Sequence, residues 1–103
     1  MIPAIEEHRA ELVELCRRNH VLSLSLFGSA TRDDFDPERS DLDFLVDFDA
    51  LKPGDHADAY FGLIQDLVSL FGRPVDLVES STLRNPYRRQ EIEATKVLVH
   101  AAA

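Results

Sequence analysis

The sequence predicts an α/β fold in which helices flank a small mixed sheet. Three observations carry that expectation. VLSLSLF at 21–27 and DLDFLVDF at 41–48 have the alternation and composition of strands. Residues 3–19 and 55–71 repeat apolar side chains with the period of a helix. The two kinds of pattern take turns along the chain, as they do where helices cover a sheet.

Each element has its own signal. In residues 3–19, Ile5, Leu12, Leu15 and Cys16 share one helical face with Glu and Arg between them, and Pro3 suits a first turn. The strand over 21–27 ends at Gly28, residues 29–35 have room for a short helix, and DPERS at 36–40 is turn chemistry. The second strand covers 41–48. Lys52-Pro53-Gly54 breaks the chain again. The helix over 55–71 carries Tyr60, Phe61, Ile64, Leu67, Val68 and Phe71 as its expected core stripe and stops at Gly72. PVDLVE at 74–79 makes a third strand, and 86–96 is a polar, mostly helical stretch. VLV at 97–99 either adds a short strand or finishes that helix.

Length and composition bound the function. With 103 residues, the chain 1–103 is expected to form one domain. It is 45% hydrophobic and 29% charged, ordinary for a globular protein. No apolar run is long enough to span a bilayer, the N-terminus is too acidic for a signal peptide, and a cytoplasmic location is expected. A single cysteine, Cys16, excludes an internal disulfide and is expected to pack as a small hydrophobe. The net charge of −8 has the wrong sign for gripping a long nucleic-acid backbone. It leaves room for a nucleotide whose phosphates arrive with a metal.

Residues 33–49 concentrate the acids, with Arg39 the only base among them. Asp33, Asp34 and Asp36 read as a solvated loop. Asp41 and Asp43 do not, because they lie in a strand, where residues two apart point to the same side. Their carboxylates stand side by side while Leu42 and Phe44 face the core. Two carboxylates this close repel unless a cation lies between them. Mg²⁺, held by one or two carboxylates and by substrate phosphates, is a natural solution. Asp76, flanked by Val75 and Leu77, adds a third acid if its strand pairs beside the second. Gly28 at a strand end lets backbone approach a phosphate, Ser29 adds a hydroxyl donor, and N–H groups of a following helical turn face the anion.

Gly28-Ser29, the eleven residues 30–40, Asp41-x-Asp43 in an apolar strand and Asp76 in a later one resemble the polymerase-β-type nucleotidyltransferase superfamily. The short chain, the leading helix and the ending NPYRRQEIEATKVL resemble its minimal branch, the antitoxin-like nucleotidyltransferases. That resemblance implies a palm-like fold and transfer of a nucleoside monophosphate with two Mg²⁺ ions. It makes Asp41, Asp43 and Asp76 metal ligands, with Asp76 nearest the attacking group. Gly28 and Ser29 would then hold the triphosphate, and Arg32 falls where similar proteins often place a base near the nucleotide. Arg39, Arg84, Arg88 and Arg89 are read as solvated charges, Tyr87 as surface or packing, and the four histidines have no metal spacing.

Minimal members that it resembles usually act as antitoxins paired with a HEPN-domain ribonuclease toxin. The resemblance therefore implies AMP transfer from ATP to a tyrosine of such a partner, in a hetero-oligomer. Two alternatives stand beside it: an antitoxin that neutralises by contact alone, its apolar sheet face covered by the partner, and transfer to a small hydroxylated molecule.

Overall fold

A computed structural model describes residues 3–31 and 41–102, with Ser29 and Ala30 described by their backbone alone. The expected turn at 36–40 and the far end of the short helix expected over 29–35 lie outside the described residues. The helical elements are α1 (Pro3–Glu7), α2 (Arg9–Arg18), α3 (Pro53–Phe71) and α4 (Pro86–Thr95). The strands are β1 (Val21–Phe27), β2 (Leu42–Phe48), β3 (Val75–Glu79) and β4 (Val97–Ala101). The strands form one sheet in the order β3-β2-β1-β4. β1 runs antiparallel to both β2 and β4, and β2 runs parallel to β3, so the sheet is mixed as expected.

The leading helix is interrupted at His8, which leaves helical geometry at φ −112° and ψ 22°. The His8 ring packs edge-on against Phe71 at 5.8 Å, and its carbonyl still accepts from the Leu12 amide at 2.9 Å. The apolar face runs on across the break, with Ile5, Leu12, Leu15 and Cys16 all buried. α3 starts two residues earlier than its apolar pattern, because Pro53 takes the first helical position, where a missing N–H costs nothing. It ends where expected. Gly72 adopts φ 65°, and its amide closes the last turn on the Val68 carbonyl at 2.8 Å.

The main core lies between α1–α3 and one face of the sheet: Leu24 and Leu26 of β1, Leu42, Phe44 and Val46 of β2, and Leu77 of β3 meet Leu12, Leu63 and Leu67 there. The stripe expected on α3 is corrected at two positions. Phe61 is 64% exposed and Val68 is also exposed, while Leu63, absent from the expected stripe, is fully buried. The buried positions Ala59, Leu63 and Leu67 follow i, i+4 spacing, so the helix phase is centred on them and the larger side chains sit at its margins.

VLV at 97–99 resolves as a strand. β4 adds the outer edge beside β1, with the Ala102 amide donating to the Leu22 carbonyl at 2.8 Å. α4 covers part of the second face, where Ile92 packs with Phe27 and Leu45. Leu22 and Leu98 are exposed.

Cys16 is completely buried, and burial pushes its thiol up to about 12. The thiolate is the reactive form, so Cys16 stays protonated and inert at neutral pH. A thiol reagent is expected to label native protein far more slowly than urea-unfolded protein. Equal rates would mean that the helix-lined core opens readily.

Candidate active site

Topology gathers the candidate residues at one end of the sheet. Because β1 is antiparallel to β2 and β2 is parallel to β3, the end of β1 meets the beginnings of the other two. Phe27 pairs with Asp43, and Asp43 pairs in turn with Asp76. Leu42 and Phe44 are fully buried in the main core, which leaves Asp43 on the opposite, α4-covered face. Leu77 is buried in the same core, so Asp76 turns outward alongside Asp43. The two carboxylates are therefore cross-strand neighbours.

Gly28 follows β1 at φ 72°, a conformation that L side chains adopt only with strain. A Cβ built there would overlap Oδ2 of Asp43 and lie 3.3 Å from its Cγ. Absence of a side chain is thus what lets the Asp43 carboxylate lie against the Gly28 backbone. Ser29 comes next, within a 3₁₀ turn over Gly28–Thr31. The Thr31 hydroxyl donates to the Gly28 carbonyl at 2.7 Å and closes that turn.

A cavity of about 260 Å³ opens here, lined by Phe27, Gly28, Asp43 and Asp76 and, from α4, by Arg88, Glu91, Ile92 and Thr95. Three of the sequence candidates, Gly28, Asp43 and Asp76, thus share one cavity. Asp41 stands exposed at the entrance to β2, two residues before Asp43 and outside the lining. Arg32 lies outside the described residues.

β3 is held in register by α3. Tyr60 donates its hydroxyl to the Leu77 carbonyl at 2.8 Å, and Nε2 of His56 lies 2.8 Å from Oε1 of Glu79. Burial, with the charges of Glu79 and Asp76 adding to it, raises the Tyr60 phenol above its ordinary value. Among the described residues, no three His, Cys, Asp or Glu side chains are gathered closely enough to hold an ion unaided. An ion at the Asp43–Asp76 pair would need further oxygen ligands, which phosphates and water supply for Mg²⁺.

The contribution of α4 was missed in the sequence. Arg88, Glu91, Ile92 and Thr95 are spaced i, i+3, i+4, i+7, one helical face, but only Ile92 is apolar, so no hydrophobic stripe marks it. The helix start is capped: Asn85 accepts from the amides of Tyr87 at 2.9 Å and Arg88 at 3.3 Å, and Pro86 follows it. Tyr87 itself is 81% exposed, as expected of a surface residue.

Residues 7–99 match the family model described as the nucleotidyltransferase domain. Two proteins of Methanocaldococcus jannaschii, both provisionally named protein adenylyltransferases, are similar in sequence. One is 35% identical over 77% of this chain and 77% of its own length, the other 34% identical over 92% and 90%. A solved structure provisionally described as a minimal nucleotidyltransferase shares the fold at a TM-score of 0.68, with 31% identity over 90% of each chain. The fold is also shared with a complex of a tri-AMPylated Shewanella oneidensis HEPN toxin with an MNT antitoxin. There the TM-score is 0.64 at 22% identity, over 95% of this chain and 73% of that one. Among the described residues no helix is long and apolar enough to cross a membrane.

Proposed function

The chain belongs to the nucleotidyltransferase domain family, and on that premise we propose that it is a Mg²⁺-dependent protein adenylyltransferase. In this reading it moves AMP from ATP onto a tyrosine of a HEPN-type ribonuclease toxin and thereby acts as an antitoxin. The observation that carries the chemistry is the Asp43–Asp76 register pair beside a glycine that cannot accept a side chain. The names of the archaeal relatives support a protein as acceptor, and the fold shared with the toxin–antitoxin complex supports the kind of partner.

The donor set fits magnesium: hard carboxylate oxygens, adjacent, at the rim of a cavity large enough for phosphates. Asp43 and Asp76 would hold the ion or ions, with phosphate and water oxygens as further ligands; Asp41, exposed at the entrance to β2, is the third acid that the family resemblance assigns to the set. Bound there, two ions would offset the charge on the entering and leaving oxygens of an in-line displacement. Gly28 and Ser29 would seat the triphosphate. Asp76 lies half exposed on an edge strand, where a side chain from another protein has access. Its position suits receipt of the acceptor hydroxyl's proton as that oxygen bonds the α-phosphorus, the α–β phosphoanhydride breaks and pyrophosphate leaves.

Incubation with α-labelled ATP and Mg²⁺, with and without the HEPN partner, tests the reading. Label is expected on the partner and to depend on both protein and metal. Absence of label from a partner that forms a complex, while Mg·ATP binding is measurable, would overturn protein adenylylation.

A further inference from the structure

Three arginines cluster where β3 leads into α4, and their contacts separate them. Arg84 donates to the Ser81 carbonyl at 2.9 Å, and Arg89 donates to the carbonyls of Ser80 and Leu83 at 3.1 and 2.7 Å. These two guanidiniums brace the connecting segment. Arg88 instead lines the cavity, with Nη2 3.6 Å from Oδ2 of Asp76. Three carboxylates, Asp43, Asp76 and Glu91, line the same space, and Arg88 is the one cation among the described lining residues.

We infer that Arg88 is a resident counter-cation of Asp76 that competes with a divalent ion and exchanges its carboxylate partner for nucleotide phosphate when the site is loaded. The inference rests on the reading of Asp43 and Asp76 as metal ligands. A carboxylate oxygen facing a guanidinium is less available to a metal, because the ion must displace or repel that positive charge. The pair is about half exposed on both sides, so its hold is weak enough to be exchanged. A guanidinium fork matches phosphate oxygens as well as carboxylate. Arg88 therefore disfavours metal alone and favours metal that arrives with nucleotide. Asn85 fixes the helical turn that carries it, so the side chain swings from an anchored base.

The test is a titration with Mn²⁺ alone, read by electron paramagnetic resonance, and a separate titration with Mg²⁺-loaded non-hydrolysable ATP analogue. Arg88→Gln is expected to bind Mn²⁺ alone about three- to fivefold more tightly than wild type, the scale of a half-exposed ion pair. The same variant is expected to bind the loaded analogue several-fold more weakly, and Arg88→Lys, which keeps the charge, to fall between. Lys96→Gln, which removes a charge from the other end of α4 where Lys96 pairs with Glu93, is expected to leave Mn²⁺ affinity unchanged. Equal Mn²⁺ affinity in wild type and Arg88→Gln overturns the inference alone, as does an equal gain in Lys96→Gln, which would reduce it to net charge. Mn²⁺ that binds neither protein overturns the metal reading with it.

Discussion

Asp43→Asn is expected to lose AMP transfer by roughly two to three orders of magnitude while the chain stays folded. The substitution keeps shape, removes a charge and turns one acceptor oxygen into a donor amide. Asp43 sits between Phe27 on β1 and Asp76 on β3, both of which line the cavity with it. Taking one charge from a cross-strand carboxylate pair relieves repulsion, worth a few tenths of a kcal/mol up to ~1 kcal/mol. That relief offsets part of any lost favourable contact of the carboxylate, so the chain should stay folded while labelled-AMP transfer collapses. Transfer at the wild-type rate would sink the assignment. The same variant separates chemistry from contact. If Asp43→Asn still neutralises the partner at equal concentration, binding alone silences it, and the exposed apolar Leu22, Leu98 and Val13 become the first places to look for that interface.

Gly28→Ala is the second large effect, and it should strike stability and activity together. At φ 72° an alanine costs about 1–2 kcal/mol in backbone strain alone. Its Cβ also collides with the Asp43 carboxylate, so either the turn opens or the acid is driven from its place. A melting temperature lower by roughly 5–15 °C is expected for a chain of this size. Transfer should fall with it, because the backbone proposed to seat phosphate and the acid proposed to hold metal are displaced at once. A double variant divides the two causes. In an Asp43→Ala background the collision is gone, and Gly28→Ala should then cost only its backbone strain. An equal loss in both backgrounds would show that the close approach of Gly28 and Asp43 contributes nothing.

Much of this was legible in the sequence because it is local. Alternation marked β1 at its observed bounds and β2 and β3 to within one residue, since successive side chains of a strand take opposite faces whatever its neighbours. Gly28 ended β1 and Gly72 ended α3, for the same reason: both have positive φ. Leu42 and Phe44 inside with Asp43 outside followed from period alone. Helix phase was less secure. In α3, apolar side chains lie on more than one face, and only contact with the sheet selects Leu63 over Phe61.

What the tertiary structure decided is which distant residues meet. Asp76 is 33 positions beyond Asp43, and its place beside it depends on α3 carrying the chain back to pair β3 parallel to β2. Residue spacing does not encode that pairing; the hydrogen-bond ladder and the burial of Leu77 do. Arg88 shows the same division most sharply. Arg84, Arg88 and Arg89 read alike in sequence, as three charges on a polar segment. Folding sends two to backbone carbonyls and one to the Asp76 carboxylate, because the capped start of α4 leaves only one of them facing the cavity. The residue types and the strand that present the acids were written locally, and the assembly of those acids into one charged cavity was made by long-range pairing.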